Sequence, residues 1–210
     1  MTYSVDANHI FTFFFIMLGP VKLIVPFARI TQGLDQKSLQ GLSVKSATLA
    51  FLIAVGGGYA GCFLLDNWGI PKEILILAAG IIFFLVALRM VLQPFTGPHP
   101  APETHPQAPA EPDIMKIIFP TIITPYGMAA LIVFLAASED MHRTLLILGL
   151  LLLNMVLNFL TMVFVRPILR TITTTGMQIG MSILGILMVA LALQLTISAL
   201  QILHILSGAV

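Results

Sequence analysis

Six stretches of this chain, at about 9–30, 45–65, 73–92, 116–137, 144–165 and 178–204, are predominantly apolar over a membrane-spanning length. A helix rising 1.5 Å per residue needs about 20 such residues to cross a ~30 Å hydrocarbon layer. No other feature constrains the fold as much, because backbone N–H and C=O groups in lipid must find their partners within the protein, which leaves helices for segments of this length. Charged residues make up only 9% of the chain, against about 25% in ordinary soluble domains, so the polar side chains cannot cover a water-facing exterior. The expected class is an all-α membrane protein with six transmembrane helices. Its main partner is the lipid bilayer, and no nucleic-acid partner is expected.

Orientation follows from the basic residues. If the spans alternate, Arg29, Lys37, Lys45, Arg89, Lys116, Arg166 and Arg170 fall on one side and only Lys72 and Arg143 on the other, with Lys22 left inside the membrane. This bias puts the richer side in the cytoplasm. The expected location is a bacterial inner membrane, crossed several times, with both termini periplasmic.

Between the third and fourth spans, residues 94–113 read PFTGPHPAPETHPQAPAEPD and hold seven of the thirteen prolines. Such a segment buries too little apolar surface to offset its ordering entropy, so a flexible, Pro/Ala-rich cytoplasmic linker is expected over 94–115. It divides the chain into 1–93 and 116–210, three spans each. Three is odd, so the second half enters the membrane inverted relative to the first. At an offset of 105 residues Pro20 falls on Pro125, and Gly80, Ile81, Ala87 and Leu88 fall on identical residues at Gly185, Ile186, Ala192 and Leu193. The expectation is two inverted three-helix repeats, an arrangement common among transporters.

Each half then opens with a proline-broken span: GPVKLIVP (19–26) in the first, FPTIITPYG (119–127) in the second. Pro20, Pro26, Pro120 and Pro125 each remove a backbone donor and crowd the carbonyl four residues earlier, so helices 1 and 4 should kink or break there. Unpaired backbone at membrane depth is tolerated only inside protein or along a water-filled cavity. Two breaks at matching positions in inverted halves point to one shared midplane site, although a single proline kink more often shapes packing alone. The candidate substrate-binding residues are Gly19, Pro20, Lys22, Thr121, Thr124, Pro125, Tyr126 and Gly127.

Lys22 has two readings. Its side chain either runs toward the cytoplasmic headgroups, where Arg29 lies seven residues on, or it supplies charge to the cavity for a carboxylate or similar anionic group. The nine acidic residues all fall in loops or near span ends. Any ion coupling must therefore use Lys22, backbone carbonyls, or hydroxyl and amide groups such as Thr121, Thr124, Asn154 and Asn158. Asn154 and Asn158, four apart on one helix face, suit interhelical hydrogen bonding better than a substrate. Gly57 and Gly61 allow close helix approach, within the chain or in a homo-oligomer. With one cysteine, no Cys/His cluster and no nucleophile or phosphate-binding motif, neither an enzyme nor a cofactor or metal site is expected.

Four stretches, GPVKLIVPF, WGIPKEILILAAGIIFFLVALRMV, FPTIITPYGMAALIVFLA and GMQIGMSILGILMVALALQ, resemble the MarC family of bacterial integral inner-membrane proteins. This chain is a divergent member: Gly19-Pro20 stands where the family usually has Asn-Pro, Thr124-Pro125-Tyr126-Gly127 replaces a Gly-Pro-Gly, and Lys22 replaces a small residue. The family is named for a link to multiple antibiotic resistance, which no residue here supports as drug export. The resemblance implies kinship with small exporters of amino acids or similar polar solutes. The functional expectation is an alternating-access transporter of a small polar solute. The alternatives are a non-transporting scaffold or oligomeric partner protein, and a lipid-handling protein.

Overall fold

A computed structural model describes residues 7–92, 114–138, 140–171 and 174–203. The linker expected over 94–115 lies almost wholly outside them. Among the described residues the chain is all-helical. Helix α1 (Ala7–Met17) is followed by a 3-10 turn (Val21–Leu23) and α2 (Ile24–Ile30), and together they make one broken span. Next come α3 (Gln36–Asn67), α4 (Lys72–Leu92) and the short α5 (Ile114–Lys116), which leads through a π-type segment (Ile117–Ile122) into α6 (Pro125–Ala136). The chain continues through α7 (Met141–Val163), α8 (Val165–Thr171) and α9 (Thr174–Ile202). Five spans are long and apolar enough to cross a bilayer, and a sixth if Ile114–Ile122 and Pro125–Ala136, bent by 63°, count as one.

Local chemistry explains the ends. The Asp35 carboxylate accepts from the N–H groups of Lys37 (3.2 Å) and Ser38 (3.4 Å), so α3 starts nine residues before the apolar run at 45–65 and carries Lys37 and Lys45 within it. At the other end Gly69 has φ +62 and its N–H bonds the Asp66 carbonyl, while Ile70 N–H bonds that of Leu65. This left-handed stop, with Pro71 after it, turns the chain into α4. Trp68, 69% exposed beside it, suits an interfacial anchor.

Helices α1 and α6 form the centre. α6 buries Gly127, Ala130, Leu131, Val133, Phe134 and Leu135, and α1 buries Ile10, Phe13, Phe14, Ile16 and Met17. The Phe13 ring lies 5.1 Å from that of Phe83 on α4 and 5.6 Å from that of Phe134 on α6, tying three helices together. Around this centre α3 packs on α6 and α7, α7 on α1, and α4 on α9, α6 and, through α9, the α1 side. The outer helices expose Leu52, Phe63, Ile81, Leu145 and Ile186. Apolar residues on both the inner and outer faces are what a lipid-solvated helix requires.

Glycines set the closest approaches. A β-carbon at Gly80 would meet the Thr196 hydroxyl and, at 3.1 Å, its backbone nitrogen; one at Gly185 would meet Val91 Cγ2 at 3.0 Å. Gly57, Gly58 and Gly61 of α3 face Met128, Leu131, Leu135 and Ile132 of α6, so the neighbours they have here belong to the same chain.

Candidate functional site

The first span breaks where its sequence removes donors. Pro20 has no N–H for the Ile16 carbonyl, and a β-carbon at Gly19 would run into the Phe15 carbonyl group, so a glycine is required at this close approach. The chain resumes in the 3-10 turn, with the Leu23 N–H bonded to the Pro20 carbonyl at 3.1 Å. Pro26 does not break anything. It is the third residue of α2, in the first turn, where its missing N–H has no intrahelical partner to lose.

The second break is differently built. Phe119 and Ile123 are extended (φ −121, ψ 128 and φ −92, ψ 106), the Phe119–Pro120 bond is cis, and Pro125 stands at the first position of α6. Thr124 caps α6: its hydroxyl oxygen accepts from the Gly127 N–H at 3.1 Å. A β-carbon at Gly127 would meet the Leu18 side chain and lie 2.9 Å from Thr124 Oγ1, so the cap and the first break close on each other here.

Lys22 joins the two breaks. Its side chain folds back, away from Arg29. The amino group donates to the Met17 carbonyl and to Thr124 Oγ1 at 3.3 Å, and lies 5.4 Å from the centroid of the Tyr126 ring. That ring distance is within the range at which an ammonium is attracted to an aromatic face. Thr124 also donates to the Met17 carbonyl at 3.0 Å, so one carbonyl of the first break collects donors from both breaks. Lys22, Thr124, Tyr126 and Gly127 thus meet around Met17 and Leu18, just before Gly19 and Pro20, whose own contacts, with Phe15 and Leu23, are local. Pro125 is exposed, and Thr121 stays local, with its hydroxyl on the Lys116 carbonyl at 3.1 Å.

The asparagines reach the same helix end from α7. Asn154 Nδ2 donates to the Phe14 carbonyl at 3.2 Å and Asn158 Nδ2 to the Leu18 carbonyl at 2.6 Å. The last turn of α1 therefore has its carbonyls held by α7 on one side and by Thr124 and Lys22 on another. A cleft of about 450 Å³ lies farther along, at the end that carries Arg166, lined by Ala28, Thr31, Gln32, Gly33, Leu34, Val165, Arg166 and Leu169. There Arg166 donates to the Leu34 carbonyl and, at 3.4 Å, to Gln36 Oε1, fastening the start of α8 to the start of α3 and the turn before it.

The family model for MarC integral membrane proteins matches residues 6–204. The chain belongs to the MarC family. It is 23% identical over 196 residues to a UPF0056 membrane protein of Methanocaldococcus jannaschii, covering 91% of this chain and 94% of that protein. A UPF0056 membrane protein of Archaeoglobus fulgidus is 24% identical over 196 residues, covering 90% of each. No solved structure matches. As a MarC protein the chain is an integral, multi-pass membrane protein, in keeping with its fold.

Sequence reasoning selected the lysine, the threonine cap and the tyrosine, but missed the Met17 carbonyl on which they converge. Pro20 signals that a carbonyl four residues earlier has lost its donor. No signal names the distant donors that serve the carbonyls beside it.

Proposed function

We propose that this MarC protein moves a small polar solute, an amino acid or a similar small anion-bearing compound, across the membrane by alternating access. The observation that carries the reading is the position of Lys22. A lysine inside a span usually snorkels or serves a pathway, and this one turns inward to the junction of two broken spans. There a carboxylate is its natural exchange partner, with Thr124 and Tyr126 orienting it. In this reading the bonds among Lys22, Thr124 and the Met17 carbonyl close the site, and the cleft beside Arg166 is the mouth on one side.

The reading takes residues 1–93 and 116–210 as inverted three-span halves joined by the linker, with α5 and α6 together as the fourth of six spans. Contacts between the halves come in the reciprocal pairs that a two-fold axis demands. Gly80 faces Thr196; moving each by the 105-residue offset, one up and one down, gives Gly185 and Val91, which also face each other. Likewise α1 on α7 is matched by α6 on α3, and α4 on α6 by α9 on α1. In this frame the basic side is cytoplasmic, the membrane is the bacterial inner membrane and both termini are periplasmic. No catalysis or cofactor is needed.

The test is uptake by proteoliposomes across a panel of amino acids and small organic acids, for wild type and Lys22→Met. Loss of uptake by tenfold or more, in a variant that melts normally, is expected. A second reading rests on the bonds of Lys22 to the Met17 carbonyl and to Thr124, which would make it a cap on a broken helix in a membrane scaffold. Uptake unchanged in Lys22→Met, together with a lowered melting temperature, refutes the transport role and favours the scaffold.

A further inference from the structure

The cleft of about 450 Å³ opens where two spans run out. The first span (Ala7–Ile30) and that of α7 (Met141–Val163) end beside each other, because α2 packs on α8, which follows α7 directly. The lining begins at Ala28, within the last three residues of one span, and at Val165, two residues past the end of the other. That is the level at which hydrocarbon gives way to lipid headgroups. The volume lies within the range of about 300–1,000 Å³ usual for small-ligand sites.

The lining is divided in character. Ala28, Leu34 and the buried Val165 are apolar, and Leu169 is 40% exposed beside them. Val25, 37% exposed, lies three residues before Ala28, so it stands one turn farther into the membrane on much the same face of α2. The other side is polar. Gln32 and Arg166 are exposed, and a β-carbon at Gly33 would meet nothing within 4 Å, so the rim is open there. Arg166 gives one N–H to the Leu34 carbonyl and one to Gln36 Oε1; a guanidinium has five, so three are left by these bonds. A planar guanidinium matches the oxygens of a phosphate group. The charges nearby in the chain agree. Arg29 ends α2 and Lys37 stands in the first turn of α3, while the Asp35 carboxylate is turned to the N–H groups of Lys37 and Ser38.

We infer that the cleft between α2 and α8 is a binding site for the headgroup of an anionic phospholipid, with the phosphate at Arg166 and Gln32 and the glycerol and first acyl carbons along Ala28, Val25 and Leu169. A basic pocket between helices at headgroup level is a setting in which anionic lipids bind. A soluble phosphate leaves the apolar side of the cleft wet, whereas a phospholipid covers it. A zwitterionic lipid brings its own cation toward Arg29 and Arg166, which an anionic lipid does not. The site does not rest on the transport reading. On that reading the lipid stands in the mouth of the solute pathway and slows uptake.

The test uses the purified full chain in a neutral detergent. Melting is followed as phosphatidylglycerol, phosphatidylcholine or inorganic phosphate is added, for wild type, Gln32→Glu, Arg89→Gln and Lys22→Met. A ligand of the folded state raises its stability by mass action, so phosphatidylglycerol should raise the melting temperature well beyond the rise given by phosphatidylcholine. Gln32→Glu is nearly isosteric on the exposed rim and sets a negative charge against the phosphate. It should fold as wild type and need about fivefold more phosphatidylglycerol for half of the effect, the factor carried by one charge near an anionic headgroup. Arg89→Gln removes an exposed basic residue of α4 that does not line the cleft, and its lipid response should match that of wild type. Lys22→Met should keep the lipid response while losing solute uptake, which separates failure of this site from failure of the transport reading. Equal rises with the two lipids overturn the proposal. A rise with inorganic phosphate as large as that with phosphatidylglycerol makes the occupant a soluble anion and overturns it too. Equal losses of response in Arg89→Gln and Gln32→Glu leave only diffuse attraction to a basic surface and overturn the assignment to the cleft.

Discussion

Thr124→Val is the sharpest test of the junction between the breaks, because valine keeps the shape and removes only the hydroxyl. That hydroxyl accepts from the Gly127 N–H, donates to the Met17 carbonyl and receives Lys22. Losing the cap of α6 costs about 1 kcal/mol. Losing the net bond to the Met17 carbonyl, which keeps Lys22 as a donor, costs about 1 kcal/mol more. For a chain of this length, the resulting loss of about 2 kcal/mol corresponds to a melting temperature lower by about 4–8 °C. Thr124→Ser keeps all three bonds and gives up one methyl group, about 0.8 kcal/mol at most. The assay is a thermal ramp in detergent with a thiol-reactive fluorogenic dye, which reads the lone Cys62, partly buried on α3 with its Sγ 3.7 Å from the Ile132 carbonyl of α6. Equal melting of Thr124→Val and wild type, or equal losses in the valine and serine variants, refutes the reasoning that the hydroxyl joins the breaks.

Two further outcomes follow from positions away from the junction. Gly80→Ala forces a β-carbon against the backbone of Thr196, which cannot rotate away, and should destabilise by about 1–3 kcal/mol; Gly185→Ala meets mainly the Val91 and Met90 side chains and should cost less, as paired melting curves would read. Hydrogen bonds from Ser38 and Lys37 hold the Asp35 carboxyl below its ordinary range. Its contribution is therefore complete above the unfolded value near pH 4 and is lost as pH falls through the folded value, so wild type and Asp35→Asn should differ in melting above about pH 4 and converge below it.

The spans were legible because apolar length is a direct demand of the bilayer, yet hydropathy reads the membrane and not the helix. α3 extends past its apolar run to Gln36 because Asp35 caps it there, in a segment that carries two lysines and looks polar. Pro26 was misjudged as a breaker for a related reason. Proline is disruptive only after the first turn, and whether position 26 lies in a first turn depends on the break at Pro20 ending α1 early. At the site, residue type carried Lys22, Thr124 and Tyr126. The carbonyl on which they converge did not stand out, since every residue has one and Thr124 lies 107 positions from Met17. The asparagine spacing announced a shared face, and interhelical bonding was the right expectation. That the partners are two carbonyls of a broken helix follows from where α1 stops, which only the fold decides.

The two breaks satisfy each other, and this constrains how the molecule can move. Thr124 belongs to the second break and serves the Met17 carbonyl of the first; Lys22 belongs to the first and reaches Thr124 of the second. If either span tilts alone, a carbonyl and an amino group at membrane depth lose partners together, at a cost of several kcal/mol where no water enters. Motion becomes affordable only when something replaces those bonds. A small solute with a carboxylate can take Lys22 and Thr124 at once, leaving Met17 to be served by whichever donor is freed. On the transport reading, the empty protein therefore stays closed because its breaks are each other's ligands, and the loaded protein opens because the solute has displaced them. On the same reading, the bonds of the α7 asparagines to the Phe14 and Leu18 carbonyls would keep that side of α1 fixed while the Met17 carbonyl changes partners.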